Sequence, residues 1–263
     1  MTISYSTLEI EKTGLTATIW MNRPEVFNAF NEALIADLSA ACTELDIDPE
    51  IRVVILAGRG KHFSAGADLN WMRRASASSQ DDNLRDARLF AHMLYLLSNL
   101  SKPTIARVQG LALGGGTGLA AACDMAVATS DAMFATSEVR FGIIPSVISP
   151  YVLRAIGPRH ALRYFQSAER ISAERALLMG LVNEVLPTEQ LDEGIEALTK
   201  ELMLGAPQAQ KAAKDLIEAM RDIPIDAQVV EETAQRIARQ RTTPEAKGGI
   251  GAFLEKRSAP WLS

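Results

Sequence analysis

The sequence predicts an α/β protein in which strands and helices alternate along the first part of the chain and helices make up the rest. Two continuous apolar runs, RVVILAG at 52–58 and PTIARVQG at 103–110, are typical of strands buried on both faces. Helix-forming stretches separate these strands, and from about Ser149 onward glycines and prolines divide a series of helices. We therefore expect an α/β core over residues 1–195 and a helical region over 196–263.

The individual elements follow from the spacing of apolar and turn-forming residues. Alternating residues on either side of Thr13-Gly14 predict a β-hairpin. A helical pattern starts at Asn31, with inward candidates that include Leu34, Leu38 and Cys42, and it ends near Asp48-Pro49. The remaining predicted elements are a loop at 59–80, a helix at about Asp82 to Leu100, and short strands in DMAVATS and AMFATSE.

Composition limits the partners that the chain can have. The 263 residues are 48% hydrophobic and carry a net charge of −5, which argues for a large core and against nucleic acid or an anionic membrane as the main partner. Cys42 and Cys123 are expected to be buried free thiols, and the three histidines have no metal-ligand spacing. With neither a secretory signal nor a membrane-spanning apolar stretch in the sequence, we expect a cytoplasmic protein without a metal.

Two glycine-bearing loops carry the chemistry, because each follows a buried strand and opens a helix: FSAGADL and VQGLALGGGTGLA. Free backbone N–H groups at two such helix starts would form a two-donor pocket for a developing oxyanion. Tight strand-to-helix turns without further function are the simpler alternative. A dinucleotide site is another, since Gly116, Gly118 and Ala121 match G-x-G-x-x-A, but Asp131 follows too early for the acidic residue of that motif.

At these residues the sequence resembles the crotonase family, the enoyl-CoA hydratase/isomerase superfamily. The likeness extends over nearly the whole chain in ordered motifs, which are MNRPEVFNAFNEAL, FSAGADL, VQGLALGGGTGLAAACDMAVA, SEVRFGIIPS, AERALLMGLVNEV and GIGAFLEKR. The resemblance implies a spiral core of ββα units with C-terminal helices that form a trimer or a dimer of trimers. It also implies an acyl-CoA thioester as substrate, so that coenzyme A is part of the substrate and no separate cofactor is expected.

The same resemblance assigns roles to the residues of these motifs. The backbone N–H groups of Ala67 and Gly115 would hold the thioester oxygen as the substrate becomes an enolate, and Glu138 would exchange the proton. A carboxyl beside an apolar acyl pocket would have a raised pKa, which suits general acid–base catalysis. A surface glutamate near a strand end is the alternative for Glu138.

The resemblance also implies a set of substrate- and coenzyme-A-binding residues, which are Val26, Ala65, Asp68, Leu69, Gly118, Arg140 and Lys256. The Ala65 carbonyl would face the adenine, and the backbone around Val26 would line the channel. Lys256 matches a lysine that meets a coenzyme A phosphate, often across a subunit boundary, although it could equally be an exposed charge on its helix.

One position departs from the pattern of the two-glutamate hydratases. The second glutamate is expected two residues after Gly116, where this chain has Gly118. The stretch PSVISPYVLRAIG also replaces the glycine-rich segment that is usual after the catalytic-acid loop. Both departures argue against simple two-carboxylate hydration.

The departures favour a narrower substrate class. HFSAGADLNWMRRA, GGTGLAAACDMA and SEVRFGIIPSVISPYVLRAIG resemble bacterial hydratases of methylglutaconyl-CoA and isohexenylglutaconyl-CoA, from leucine and acyclic terpene breakdown. A branched β-carbon would gain room where Gly118 lacks a side chain, and Arg73, Arg74 and Arg140 are candidate partners for the distal carboxylate. An isomerase using Glu138 alone, an inactive paralogue, a non-catalytic binder of coenzyme A esters and an RNA-binding relative are the alternatives.

Overall fold

The largest element of the fold is a six-stranded sheet, and a computed structural model describes it within residues 5–262. The strands in these residues are β1 (Leu8–Thr13), β2 (Thr16–Met21), β3 (Val53–Gly58), β4 (Thr104–Val108), β5 (Leu111–Leu113), β6 (Met125–Thr129), β7 (Met133–Ala135), β8 (Ile171–Ser172) and β9 (Glu184–Leu186). The large sheet has the order β1-β2-β3-β4-β6-β9, and only β1 runs antiparallel to its neighbour. The β1–β2 hairpin confirms the predicted turn at Thr13-Gly14.

A second, smaller sheet grows from the same connections. It contains β5, β7 and β8, and isolated parallel bridges extend it by pairing Ser64 with Ala112 and Phe30 with Ala67. Each turn of the chain thus adds a strand to the large sheet, then a short segment to the small sheet, and then a helix or helical turn. The predicted spiral of ββα units is confirmed.

Helices pack around the two sheets. Their bounds are α1 (Glu32–Ile47), α2 (Leu69–Ala77), α3 (Gln80–Ser98), α4 (Gly115–Ala122), α5 (Ser149–Ser167), α6 (Ala173–Met179), α7 (Leu191–Leu204), α8 (Pro207–Met220), α9 (Ala227–Arg241) and α10 (Pro244–Leu254). The Asn31 side chain caps α1 by accepting a hydrogen bond from the Leu34 N–H. The inward candidates Leu34, Leu38 and Cys42 are all buried, as predicted, and so is Cys123.

The sequence-based assignment is wrong in part of the segment 59–80. The helix α2 lies within the predicted loop, where Asp68 caps it by accepting hydrogen bonds from the N–H groups of Asn70 and Trp71. No residue of α2 is fully buried, and only Trp71 packs partly against the core. The serines and glycines on either side of this short helix are typical of a loop, which is why the sequence pattern did not reveal it. The helix predicted at about Asp82 to Leu100 is present as α3.

The helix α7 covers one face of the large sheet. Its Leu191 and Ile195 pack with core residues of the sheet that include Val53, Ile105 and Val127. A division of the chain after residue 195 would therefore fall within α7, and the two-part organisation stays a prediction. Within residues 5–262 no helix is long and apolar enough to cross a membrane.

The C-terminal segment is anchored at the amino ends of the parallel strands. Arg52 directly precedes β3, and its guanidinium donates to the carbonyl oxygens of Met203, Gly205 and Trp261. The Trp261 indole N–H in turn donates to the Leu204 carbonyl at 2.9 Å. The glycine loops follow the carboxyl ends of β3 and β4, so α10 is held at the opposite edge of the sheet.

Candidate active site

The two glycine loops run side by side, because they belong to successive turns of the spiral. The Ser64 N–H donates to Leu111 O at 3.0 Å, and the Leu113 N–H donates to Ser64 O at 2.9 Å. This parallel pairing places Ser64 opposite Ala112. The residues that precede Ala67 and Gly115 also lie close together, since a Cβ on Gly114 would be 4.0 Å from the Cα of Gly66.

The N–H groups of Ala67 and Gly115 are unused donors. Neither has a hydrogen-bond acceptor among residues 5–262, whereas the Ala65 and Asp68 N–H groups donate to Phe27 O and Phe30 O. Gly115 is the first residue of α4, where N–H groups lack intrahelical acceptors and the helix dipole favours negative charge. Both residues are half-buried. The pair can therefore receive a substrate oxygen that gains negative charge during a reaction.

Glycine at residue 116 is required by the close approach of the two loops. A Cβ on Gly116 would lie 2.3 Å from the Ser64 carbonyl oxygen, so any side chain would push the first loop away. The Thr117 hydroxyl fixes the helix start by donating to Ala112 O at 2.6 Å and accepting from the Ala135 N–H at 3.3 Å. The position of the Gly115 N–H is thus set by buried hydrogen bonds.

Glu138 brings a carboxyl group to the same place. It begins the 3₁₀ turn Glu138–Phe141 that follows β7, and its Oε1 lies 3.2 Å from the position that a Cβ on Gly114 would take. Its Oε2 is buried and has no hydrogen-bond partner among residues 5–262. Burial raises the pKa of the Glu138 carboxyl, so the group keeps its proton to a higher pH than a solvated glutamate.

The segments assigned to coenzyme A binding also meet here. Val26 ends the 3₁₀ turn Pro24–Val26, and the carbonyl of the next residue, Phe27, accepts the Ala65 N–H at 2.9 Å. The Ala65 carbonyl accepts no hydrogen bond from residues 5–262. The structure therefore brings Val26 and Ala65 together and leaves an acceptor available on the first loop.

Asp68 is occupied by structural contacts. Besides capping α2, its carboxylate pairs with Arg23 at 2.9 Å, and both side chains are largely buried. Burial alone would raise the pKa of Asp68, but the hydrogen bonds from Arg23 and from the helix N–H groups lower it overall. Leu69 follows as an exposed side chain. Asp68 thus holds the end of the first glycine loop in place.

Comparison with known proteins places these features in a family. The model of the family described as "Enoyl-CoA hydratase/isomerase" matches residues 11–263. The chain belongs to this family. It is 33% identical to a crotonyl-CoA hydratase of Syntrophomonas wolfei over 99% of this chain and 100% of that protein. It is 32% identical to a 2,3-dehydroadipyl-CoA hydratase of Escherichia coli over 96% of this chain and 97% of that protein.

Solved structures of the family share the fold. A crystal structure of an enoyl-CoA hydratase from Shewanella pealeana has 38% sequence identity and a TM-score of 0.94, and the match covers 97% of this chain and 96% of that one. The predicted crotonase fold is confirmed, and the chain is an enzyme of the enoyl-CoA hydratase type, a lyase. The narrower resemblance to hydratases of branched glutaconyl thioesters stays a prediction.

In this member of the enoyl-CoA hydratase/isomerase family, the three candidate arginines differ in their contacts. Arg74 already pairs with both carboxylate oxygens of Glu32, at 2.7 and 2.8 Å. Arg73 donates to the Asn70 side chain. The Arg140 side chain is exposed and has no hydrogen-bond or ion-pair partner among residues 5–262. Arg140 therefore has the most donors free for a substrate carboxylate.

The expectation for Gly118 needs correction, and the role expected of Lys256 would require a second subunit. Gly118 does not leave open room, because a Cβ there would lie 2.2 Å from Cγ2 of Ile148. The side chain of Ile148 already fills the space that was expected to receive a branched acyl group. Lys256 is exposed just beyond α10, and the structure does not bring it to the glycine loops of its own chain.

Several residues that shape the site were not predicted from the sequence. Ile148 lies within the PSVIS stretch that departs from the family pattern, and this departure was the only signal for it. Phe30 and Phe90 pack against the start of α4, since a Cβ on Gly115 would lie 2.8 and 3.0 Å from their rings. Arg23 is 45 residues away from Asp68 in the sequence, and no local pattern links them.

Proposed function

We propose that this enzyme adds water across the α,β double bond of an enoyl-CoA thioester that carries a second carboxylate, of the branched glutaconyl type. The observation that supports hydration best is the pair of unused N–H donors, at Ala67 and Gly115, next to the protonatable carboxyl of Glu138. The donors would bind the thioester oxygen, and the carboxyl would act at the carbon atoms beside it.

One carboxyl group can both accept the proton from water and return it to the substrate. The Glu138 carboxylate takes a proton from water as the water oxygen bonds to Cβ, and the electron pair of the double bond moves toward the thioester oxygen. The two N–H groups stabilise the resulting enolate. Glu138 then returns the proton to Cα on the same face, which completes a syn addition and restores the carboxylate. The raised pKa of Glu138 makes the proton harder to lose than from a solvated glutamate, which suits a group that must both accept and return a proton.

The dicarboxylic part of the proposal rests on Arg140. Its guanidinium has no acidic partner in the described chain and lies two residues from Glu138. A guanidinium binds a carboxylate through two parallel hydrogen bonds. The branch of the substrate has to be accommodated away from Gly118, because Ile148 fills that space.

A panel of thioesters tests the substrate class. Hydration of crotonyl-CoA, methylglutaconyl-CoA and isohexenylglutaconyl-CoA is followed by the absorbance of the conjugated thioester. We expect kcat/KM to be at least tenfold higher for a dicarboxylic ester. Arg140→Leu should remove most of that preference, whereas Arg159→Leu, which changes another exposed arginine, should leave it unchanged. A faster reaction with crotonyl-CoA in the unmodified enzyme would refute the dicarboxylic proposal.

Isomerisation is the second candidate, and the apolar contact between Gly118 and Ile148 favours it. An isomerase moves a proton between Cα and Cγ and needs no second carboxylate to activate water. A 3-enoyl-CoA substrate distinguishes the two reactions, since only an isomerase converts it to the conjugated 2-enoyl thioester. No turnover of any ester, with retained binding, would leave a non-catalytic binder.

We also propose that the enzyme assembles with copies of itself as a trimer or a dimer of trimers. Large apolar side chains of the C-terminal region are exposed in the single chain, including Ile217 (70%), Ile225 (88%) and Phe253 (82%). Lys256 would then meet a coenzyme A phosphate at the site of a neighbouring copy. Light scattering would give the subunit number, and Lys256→Ala should raise KM several-fold with little change in kcat.

A further inference from the structure

The start of α4 lies against two side chains, one at Gly114 and one at Gly118. Gly114 precedes α4, and Gly118 lies one helical turn further along, since its N–H donates to Gly114 O at 3.1 Å. Oε1 of Glu138 is 3.2 Å from the Cβ position of Gly114, and Cγ2 of Ile148 is 2.2 Å from the Cβ position of Gly118. Ile148 is therefore about one helical turn, or roughly 5.4 Å along the axis, from the level of the carboxyl group.

Ile148 is held in this position by its place in the chain. It directly precedes α5, and its carbonyl oxygen accepts the N–H groups of Tyr151 and Val152 at 3.2 and 3.1 Å. Only 2% of its surface is exposed, and its side chain makes no cap for α5. Hence the Ile148 side chain packs over Gly118 and does not cap the helix that it precedes.

The groups that face Glu138 are apolar or uncharged. Gly114, at the start of α4, lies against its Oε1, and Gly66 of the first loop is close to Gly114. The 3₁₀ turn that begins with Glu138 packs against α5, the helix that Ile148 precedes. Arg140, on the same 3₁₀ turn, is exposed. Burial, without any charged neighbour, is the cause that raises the pKa of the Glu138 carboxyl.

We propose that Ile148 is a positioning residue that fills the place of a second acid–base side chain, excludes water from one side of Glu138, and so confines the acid–base chemistry to that single carboxyl. The inference builds on the proposed function but concerns a different property, the surroundings of Glu138 in the free enzyme. Gly118 and Ile148 then form one complementary unit, meaning that the large side chain of Ile148 fits only against the missing side chain of Gly118. A larger residue at 118 would require a smaller one at 148.

The first experiment measures the titration midpoint of the Glu138 carboxyl directly, without substrate. The enzyme is labelled with 13C at the glutamate carboxyl carbons, and the Glu138 signal is assigned by its loss in Glu138→Gln. In Ile148→Ala, water gains access, so we expect the titration midpoint of this signal to move to lower pH. Ile148→Val, which removes a single methyl group, should give a smaller shift in the same direction and serves if the alanine variant folds poorly.

The control is Ile156→Ala, which truncates another buried isoleucine, in the helix α5 that Ile148 precedes. It should lower stability without moving the Glu138 titration. An unchanged midpoint in both Ile148 variants would overturn the proposal. A failure of the proposed hydration would instead appear as absent turnover in the unmodified enzyme, with the titration shift intact.

The second experiment restores the missing carboxylate. Gly118→Glu alone should lose at least tenfold of its folded yield or activity, because its Cβ would collide with Ile148. Gly118→Glu combined with Ile148→Gly should recover the folded yield, since glycine is well tolerated before the first residue of a helix. We also expect crotonyl-CoA hydration at least tenfold faster than in Ile148→Gly and a second ionisation in the pH profile of kcat/KM. Equal activity of Gly118→Glu with and without Ile148→Gly would contradict the complementary unit.

Discussion

Oε1 of Glu138 lies 3.2 Å from the point where a β-carbon on Gly114 would stand. The carboxyl proposed to exchange the proton therefore rests against the bare backbone of the residue that precedes Gly115, the proposed second oxyanion donor. Because one contact joins the proposed acid–base group to the proposed anion-binding group, a displacement of Glu138 is expected to disturb both.

Gly114→Ala should reduce kcat by about 10²–10³, the range expected for loss of an oxyanion donor. The methyl group would press on Glu138, and the residue has φ +51°, which disfavours alanine. Gly14→Ala is the matched control, because Gly14 has φ +57° but nothing within 4 Å of its Cβ position. Both variants should lose stability in thermal unfolding, Gly114→Ala the more because its methyl group also meets Glu138, and only Gly114→Ala should lose kcat. A similar kcat for the two variants would contradict the prediction.

Glu138→Gln should nearly abolish turnover and leave the affinity for a coenzyme A ester within a few-fold. Its stability should also depend on pH. The folded-state pKa of Glu138 is raised, so the wild-type protein loses stability as pH rises from the unfolded pKa, about 4.3, through the folded pKa. Glutamine cannot ionise. The variant should therefore have the higher melting temperature at neutral pH and an equal one near pH 4, and the opposite order at neutral pH would refute the assignment.

Asp68→Ala should cost about 2–4 kcal/mol in the free energy of unfolding, because it removes the α2 cap and leaves Arg23 unpaired and largely buried. The lowered folded-state pKa of Asp68 means that its contribution is present above the unfolded pKa, about 3.9, and is lost as pH falls through the folded pKa. Glu32→Gln breaks the exposed pair with Arg74 and should cost less than about 1 kcal/mol. Urea unfolding at two pH values measures both.

Thr117→Val should lower kcat and cost about 1–3 kcal/mol, since it removes the buried hydroxyl that joins Ala112 to Ala135 and leaves the polar backbone atoms without their partner. Thr117→Ser keeps the hydroxyl and should retain most of the kcat, with some loss of packing. If the valine and serine variants had equal kcat values, the hydroxyl would have no part in placing the start of α4.

Local patterns predicted much of this molecule. The hairpin at Thr13-Gly14, the helix cap at Asn31 and the buried strands β3 and β4 each follow from residues that are close in sequence. The likeness to a family added the spiral and the candidate pair of donors. Spacing alone could not have brought the loops of Ala67 and Gly115 side by side, because hydrogen bonds between two turns of the spiral, at Ser64 and Ala112, set their register.

What the sequence could not show depends on contacts between distant segments. Gly118 lacks a side chain, which suggested open space, but Ile148 from the start of the next helix fills it. Arg74 was one of three equivalent arginines until its contact with Glu32 distinguished it from Arg140. In both cases the residue type showed what the position could do, and the contact with a distant residue showed whether it is available to do so.

Because Ser64 pairs in parallel with Ala112, the lengths of the connections that lead to these two residues determine where the two donors lie. Residues 59–62 lead from β3 into the first loop, and residues 109–110 lead from β4 into the second. A single residue inserted in either connection could slide one loop past the other by about 3.3 Å, the rise of one strand residue. That distance exceeds a hydrogen bond, so the shift would separate the two donors. It would also turn the buried Phe63 or Ala112 away from the core. Insertions and deletions here should therefore lower activity and stability together.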